Sequence, residues 1–398
     1  MTAAGPLARE APYAIGLVLG ASILLWSGYL DLSAAAIARG DLASFWVGAR
    51  ALVVGQDPFR VADWPGLARA LGGPADTPVY GYPGWVAVAL IPLALVPLDL
   101  AAVLWTVGGL VLAVLAVRWL LFAMTPDLPV VHTLAALTLL ASQSARTAVL
   151  LGQWTFILLA ALIAAVVLLR RNASGAGAAS LALLAKPHLF VLTYAALLLR
   201  SLALGRARAY LVPVAAGAAL LVTLSLLLMP GWPAAWVAML AAHRLFDPPQ
   251  TTTPAALLSA ALGRPGIAAT ALLAVAIAAT AFLFRPTTET GLGIWIVLSL
   301  LVAPYQWSYD QLLILPAVVL VAAGIGRRSA RRATATAAAA CVMLLVLGTL
   351  VAIDAARRDT ETLASLVPVA ALVVLVVGAW PLRHTLAAPS RHVEPEAA

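Results

Sequence analysis

A single aspartate in the first long polar stretch of the chain has the surroundings expected of a catalytic carboxylate. Asp41 follows Gly40 and precedes apolar residues that recur at helical spacing. The apolar stripe consists of Phe45, Trp46, Ala49, Leu52 and Val53. Such an amphipathic helix beside a bilayer is expected to lie in the interface, with Asp41 at the membrane surface. There Asp41 is a candidate general base for an attacking hydroxyl group. The alternative is that Gly40 and Asp41 only cap the helix.

A second candidate site is the segment Lys186-Pro187-His188, which interrupts an apolar run and contains the only lysine of the chain. Lysine binds phosphate groups as a point charge, so Lys186 is a candidate ligand for the phosphate of a lipid-phosphate donor. His188 would support the same group, and Arg146 is a candidate second phosphate ligand. The alternative is a kinked helix with a lysine that snorkels towards the membrane surface.

Polar and aromatic residues at the ends of other apolar runs are candidate contacts for a sugar. Gln153 can hydrogen-bond to sugar hydroxyls and Trp154 can stack on a sugar ring, although tryptophan is also common in the aromatic belt of membrane proteins. The turn at 304–311 would line a donor or acceptor pocket, with Tyr309 and Asp310 as its candidate contacts. An interfacial belt with a capping aspartate is the alternative. A weaker candidate is His243 in the loop at 230–265.

The elements that must position these residues are membrane helices. The chain has 398 residues, of which 63% are hydrophobic and 10% charged, whereas soluble domains carry about a quarter charged residues. Apolar runs near the ~20 residues that cross a bilayer recur throughout. We therefore expect an all-α polytopic membrane protein with about 11–13 membrane helices, forming a single domain over residues 1–398. The external loops are predicted at 31–82, 230–265 and 304–311, with a flexible tail at 384–398.

The pattern of charged residues excludes several functional classes. The net charge of +8 comes almost entirely from arginine, which in membrane proteins marks cytoplasmic loops and does not indicate nucleic-acid binding. Cys341 is the only cysteine, so disulfides within the chain and cysteine metal sites are excluded. The sequence contains no glycine-rich phosphate loop, zinc-ligand spacing or Asp-x-Asp pair. A lipid-phosphate sugar is therefore a better candidate donor than a nucleotide sugar.

The order of the apolar runs predicts the topology. The first span is expected at 12–30, a short one at 84–96, and a re-entrant segment at 130–141. The run at 174–200 is interrupted by Pro187, which stops or kinks a helix. A hairpin there would place Arg170, Arg200 and Arg206 on one side, as the positive-inside rule favours, with Lys186 at its buried tip.

With the N-terminus in the cytoplasm, the arginine clusters all face inwards. Asp41, Gln153, His243 and the turn at 304–311 then converge on the outer face. The arginine-, alanine- and glycine-rich composition is typical of GC-rich bacterial genomes. The expected location is therefore the bacterial cytoplasmic membrane, with the site facing the periplasm or exterior.

Several of these motifs, in this order, resemble a known family. They are the loop from Gly40-Asp41-Leu42 to Gln56-Asp57-Pro58-Phe59, Tyr82-Pro83, Gly152-Gln153, Lys186-Pro187-His188 and the turn at 304–310. The chain resembles glycosyltransferase family 87, the polyprenyl-phosphate-dependent membrane glycosyltransferases of the C-type fold. The late turn departs from that family, which commonly has histidines after the tryptophan where this chain has Ser308-Tyr309-Asp310.

The resemblance implies an inverting transfer of a sugar, such as mannose or arabinofuranose, from a polyprenyl phosphate to a glycolipid or glycan acceptor. It implies that Asp41 is the base, and that no metal or other cofactor is needed. Two alternatives remain: a transporter or flippase of a lipid-linked sugar, and a non-catalytic membrane scaffold. A flippase would often show two related halves with matching broken helices, and no partner to the break at Pro187 is found later in the chain.

Overall fold

Regular structure is entirely helical in the computed structural model, which describes residues 6–26, 34–242, 252–263, 266–358 and 360–382. The long apolar runs account for this, because a backbone in lipid must satisfy its N–H and C=O groups internally, as a helix does. The core centres on a helix at Leu315–Gly326, in which ten of 12 residues are buried. The all-α polytopic membrane fold expected from the sequence is confirmed.

The helices of the first half of the chain are α1 (Pro6–Trp26), α2 (Ala34–Ile37), α3 (Asp41–Val53), α4 (Trp64–Ala70), α5 (Gly84–Ala89), α6 (Ile91–Ala94), α7 (Leu98–Met124), α8 (Pro129–Ala141), α9 (Gln143–Leu151), α10 (Thr155–Leu168), α11 (Ala173–Ser180) and α12 (Val191–Ala203). Those of the second half are α13 (Ala207–Leu228), α14 (Trp232–Ala242), α15 (Pro254–Leu262), α16 (Gly266–Leu283), α17 (Glu289–Leu301), α18 (Leu315–Gly326), α19 (Ala330–Val342), α20 (Gly348–Arg358) and α21 (Leu366–Ala379). A 3-10 helix at Ser308–Ile314 leads into α18, and a π-helix at Met343–Leu347 joins α19 to α20.

Six helices within the described ranges are long and apolar enough to cross a bilayer, or seven if α8 and α9 form one span. The expected number of about 11–13 membrane helices is reached only if shorter apolar helices such as α10, α12 and α17 also lie in the membrane. The helix axis bends by 41° between α8 and α9. Such a bend fits either a broken span or a re-entrant loop, so the re-entrant course expected at 130–141 stays a prediction.

The short span expected at 84–96 is wrong. The segment folds into α5 and α6, of six and four residues, which are separated at Leu90. At ~1.5 Å per residue, neither helix reaches half of a bilayer. Pro92 near the start of α6 lacks the N–H that a continuous helix would need, which favours two helices over one.

The helix expected after Gly40 is present as α3, and it is packed into the protein on most of its sides; its position in the membrane interface stays a prediction. Nine of its 13 residues are buried. The Trp46 indole donates a hydrogen bond to the Val96 carbonyl at 3.0 Å, and Arg50 donates to the Ala94 carbonyl at 3.0 Å. These bonds anchor α3 against the end of α6. The alternative in which the Asp41 side chain caps the helix is wrong: Gly40 is the N-cap residue, as its position suggested, but no side chain caps the helix.

The expected hairpin around Pro187 is borne out by its contacts. α11 and α12 are joined through two 3-10 turns, and Tyr194 of α12 donates a hydrogen bond back to the Ser180 carbonyl at 2.6 Å. At the open end, Arg170 and Arg200 both bind Glu289, and Arg206 donates to the Arg170 carbonyl. The three arginines therefore lie together, as the hairpin requires.

A cluster of polar residues lies at each end of the α17–α18 pair. At one end, Glu289 is 3% exposed and binds Arg170, Arg200 and Arg327. At the other end, the turn before α18 contains Asp310, and Glu361 accepts a hydrogen bond from the Ser308 N–H at 3.0 Å. Glu289 was not expected from the sequence, and it explains how three arginines gather at one end of these helices.

α1 packs on α8 through two glycines one turn apart. A Cβ at Gly16 would lie 2.3 Å from the Thr133 carbonyl oxygen, and one at Gly20 would lie 2.9 Å from the Leu140 Cβ. Small residues at this spacing let two membrane helices approach closely. The first helix is thus held by backbone contact with α8.

We predict that Gly16→Val lowers the free energy of unfolding by about 1–3 kcal/mol, because the added side chain meets backbone that cannot move aside. Gly108→Val is the control, since a Cβ at Gly108 has no atom within 4 Å and the helix-propensity change is the same. Denaturation by SDS in mixed micelles measures both. An equal loss for the two variants would contradict close packing of α1 on α8.

Candidate active site

Two glycines bring the first residue of α3 against the end of α9. Gly152 ends α9 in the left-handed conformation, with φ of 62°. A Cβ there would lie 2.7 Å from Leu42 Cβ, and a Cβ at Gly40 would lie 2.8 Å from the Leu151 backbone. Any other residue at either position would separate the two segments. The glycines therefore set Asp41 beside Gln153.

Gln153 holds the Asp41 carboxylate. Its side-chain amide donates to the Asp41 Oδ2, and the Tyr82 hydroxyl lies 3.5 Å from the Gln153 Oε1. Burial raises the pKa of the Asp41 carboxyl, while the charge of Lys186 and the Gln153 hydrogen bond lower it, and the net shift is upwards. Asp41 lies outside the six long apolar helices. A carboxylate with a raised pKa is a better proton acceptor than an exposed aspartate.

Lys186 lies at the buried tip of the hairpin, where Pro187 interrupts the helix. Its ammonium group is 2.8 Å from the Asp310 Oδ1, and the two side chains are 4% and 1% exposed. The ammonium also lies 4.5 Å from the centre of the Tyr309 ring. Asp310 Oδ2 accepts from the Trp307 N–H at 3.2 Å. Asp310 thus caps its own turn and neutralises the lysine of another element.

His188 faces the same space but carries no charge there. Its ring stacks on Tyr305 with the centroids 3.9 Å apart. Burial, together with the neighbouring Lys186, lowers the pKa of His188 to about 3. At neutral pH the imidazole is therefore uncharged, and it can contact a phosphate only as a neutral hydrogen-bond donor.

These side chains surround a cavity of about 510 Å³, here called the Asp41 cavity. It is lined by Asp41, Tyr82, Lys186, His188, Tyr305 and Glu361, among others. Its size is within the range of about 300–1,000 Å³ that is typical of small-molecule sites. The walls are mainly aromatic and apolar, with one cation and two carboxyl groups.

The structure places the sequence-predicted residues in three groups. Asp41, Lys186, His188 and Tyr309 line the Asp41 cavity, and Gln153 and Asp310 bind side chains that line it. Trp154 and Arg146 are buried and do not line it. His243 falls outside the described residues.

The sugar-stacking role expected of Trp154 does not fit this geometry. Its ring packs edge-on against Trp105, with the centroids 4.6 Å apart, and is 6.2 Å from the Phe45 ring. Trp154 therefore packs against aromatic residues of α3 and α7 and is only 6% exposed. Arg146 is on α9, which packs against the turn at 308–314, and no phosphate role for it is supported by the cavity lining.

Sequence reasoning missed Glu361 and underrated Tyr305. Burial raises the pKa of the Glu361 carboxyl, which the Ser308 N–H holds in place at 3.0 Å. The available signal was the position of Glu361 in a polar break on the same predicted side of the membrane as the turn at 304–311.

Within the described ranges, no group of three or more His, Cys, Asp or Glu residues is placed to hold a metal ion.

Comparison with known families supplies the class of the protein. The model of glycosyltransferase family 87 matches residues 80–304, which is more than half of the chain. Comparisons with curated proteins and with solved structures found no match. The matched range includes Gln153, Lys186 and His188, whereas Asp41, Asp310 and Glu361 lie outside it. The helical membrane fold and this match establish that the chain belongs to glycosyltransferase family 87.

Proposed function

We propose that this membrane glycosyltransferase moves a hexose or pentose from a polyprenyl-phosphate donor to a lipid or glycan acceptor, with inversion. Mannose and arabinofuranose are the candidate sugars. The observation that carries the proposal is that a partly buried carboxylate, Asp41, and a buried cation, Lys186, line one cavity although they lie far apart in the chain. This is the pair of groups that the reaction needs, a base for the acceptor and a counter-charge for the leaving phosphate.

The proposed reaction is a single displacement at the anomeric carbon of the donor. The acceptor oxygen forms a bond to that carbon while Asp41 takes the hydroxyl proton. The bond between the carbon and the phosphate oxygen breaks, and the polyprenyl phosphate leaves with the electron pair. Attack from the side opposite the leaving group inverts the configuration.

Lys186 is the proposed partner of the leaving phosphate. An ammonium group has three N–H donors, so the bond to Asp310 leaves others for a phosphate oxygen. Asp310 then acts as a positioning residue that fixes the lysine side chain at the cavity wall. A fixed cation in a cavity with largely apolar walls stabilises developing negative charge more strongly than one in water.

The remaining parts of the proposal concern the sugar and the membrane. Tyr309, which lines the cavity, is the proposed sugar contact, whereas Gln153 is buried behind the cavity wall and is proposed to hold Asp41 and not the sugar. The apolar walls suit the first isoprene units of the lipid. The proposed reaction needs no metal. The arginine distribution supports a cytoplasmic N-terminus and a site on the outer face of the bacterial cytoplasmic membrane.

We predict that Asp41→Asn lowers sugar transfer by about 10²–10⁴-fold, because the amide cannot accept the proton. The assay is transfer of radiolabelled sugar from polyprenyl-phosphate mannose or arabinose to a membrane lipid extract, by purified protein in nanodiscs. Asp99→Asn, at an exposed carboxylate in the first turn of α7, is the control and should be unchanged. Equal transfer by wild type and Asp41→Asn would remove Asp41 from the chemistry.

We predict that the acidic limb of the pH–rate profile reports the raised pKa of Asp41, with transfer falling as the pH drops and the base becomes protonated. Gln153→Leu should move that limb to higher pH, because it removes a hydrogen bond that lowers the pKa of Asp41. The measurement is kcat/KM against pH for both proteins. A lower rate with an unmoved limb would indicate that Gln153 has only a structural role.

We predict that Lys186→Met and Asp310→Asn each lower the free energy of unfolding by about 3–5 kcal/mol, since each leaves the opposite charge buried without its partner. The double variant should recover much of that loss, because no unpaired charge remains. SDS denaturation of all four proteins gives the coupling energy. Losses that simply add would show that the two groups do not interact in the folded protein.

A further inference from the structure

A second cavity adjoins the Asp41 cavity on the side of α20. It has a volume of about 520 Å³ and is here called the α20 cavity. One wall consists of Gln143, Ser144 and Thr147 of α9, and the opposite wall consists of α20. Trp307 and Glu361 line both cavities, so these two side chains stand where the cavities meet.

The lining of the α20 cavity differs in chemistry from that of the Asp41 cavity. The α9 wall and the neighbouring turn present amide and hydroxyl groups, from Gln143, Thr147, Ser308 and Gln311 among others. The α20 wall presents small residues, including Gly348, Ala352 and Ala355. Sugars have hydroxyls around their edge and C–H groups on their faces, and the Trp307 ring is a suitable stacking surface. This cavity therefore fits a sugar better than a lipid tail.

Glu361 is fixed at the junction. Its carboxylate accepts from the Ser308 N–H at 3.0 Å, and burial raises its pKa. A carboxyl group held there can hydrogen-bond to a sugar hydroxyl on the α20 side while Asp41 lies on the other side. The family match ends at residue 304, so neither Glu361 nor α20 is part of what the match describes.

We infer that the α20 cavity binds the sugar moiety of the acceptor, that Glu361 orients the acceptor hydroxyl towards Asp41, and that Gly348 leaves the room this sugar needs. The inference rests on the proposed function for the transfer step, but sugar binding in this cavity is separable from catalysis. It names the acceptor class as a glycan or glycolipid whose terminal sugar is recognised, and not a simple lipid alcohol.

Gly348 offers a variant that fills the cavity and still folds. It lies at the start of α20, after the π-helix, and a Cβ there would have no atom within 4 Å. A larger side chain therefore extends into the open space without a clash. Replacing a helical glycine also removes its entropic cost of about 0.5–1 kcal/mol. Gly108 of α7 is a matched control, because its Cβ position is equally open and it lines neither cavity.

The experiment compares wild type, Gly348→Leu and Gly108→Leu in nanodiscs by two measurements. The first is thermal stabilisation by mannotriose, by arabinotriose, and by butanol as an alcohol without a sugar. The second is the rate of sugar transfer to a membrane glycolipid extract, together with the slower release of free sugar when water is the acceptor. Glu361→Gln is included to test the orienting carboxylate.

We expect a trisaccharide, and not butanol, to stabilise wild type and Gly108→Leu but not Gly348→Leu. Gly348→Leu should raise the acceptor KM by about tenfold or more, equivalent to about 1.4 kcal/mol. Glu361→Gln should lower transfer to the glycolipid more than release to water. A conservative Glu361→Asp change should restore part of the transfer, which a merely structural role would not predict.

Two results of the binding measurement would overturn the inference: no stabilisation of wild type by either trisaccharide, or equal stabilisation of wild type and Gly348→Leu. The protein could also bind a trisaccharide, lose that binding in Gly348→Leu, and yet transfer no sugar from either donor. That result would support the inference about the α20 cavity and contradict the proposed function. Sugar transfer by wild type and by Gly348→Leu with the same acceptor KM would contradict the inference about the α20 cavity and leave the proposed function in place.

Discussion

The buried ion pair between Lys186 and Asp310 is the contact on which the site depends. It joins the tip of the α11–α12 hairpin to the turn before α18, two segments that are far apart in the chain. With both side chains under 5% exposed, neither charge has water to solvate it, so each requires the other. The pair therefore holds the hairpin tip at the cavity wall. It also keeps a cation inside a space that is otherwise acidic and aromatic.

The other side of the cavity is set by close backbone packing and not by charge. Gly40 and Gly152 let α3 and the end of α9 touch, and the Gln153 amide then binds Asp41. The two halves of the site are thus built in different ways, one by an ion pair and one by glycines. A second cluster, around the buried Glu289, joins the opposite ends of the same helices. Together these contacts connect the cavity walls to both ends of the helices that form them.

Much of this arrangement could be predicted from the sequence, and the exceptions have physical causes. The helical membrane fold and the break at Pro187 followed from apolar runs and proline chemistry. The arginine pattern placed Asp41 and Gln153 on the same side of the membrane, but their direct contact was not predicted. Trp154 was misjudged because an aromatic residue at a helix end looks the same whether it faces a cavity or packs on Trp105. Glu361 was missed because its role depends on long-range packing against Ser308, which no local pattern records. One span was predicted at 84–96, where the structure has the two short helices α5 and α6, because apolar content does not reveal where a helix stops.

The position of the charges suits the proposed displacement in a further way. Before transfer, the ionised Asp41 and the phosphodiester of the donor each carry one negative charge. After transfer, Asp41 is neutral and the polyprenyl phosphate carries two. The net charge of the cavity is therefore unchanged, and one negative charge has moved from the α3 side to the side of Lys186. A site with a fixed cation at the receiving end and an amide at the starting end favours that movement without rearranging its own dipoles. The asymmetry of the two halves, amide on one side and ammonium on the other, thus stabilises the charge as it moves towards the leaving phosphate in the proposed reaction.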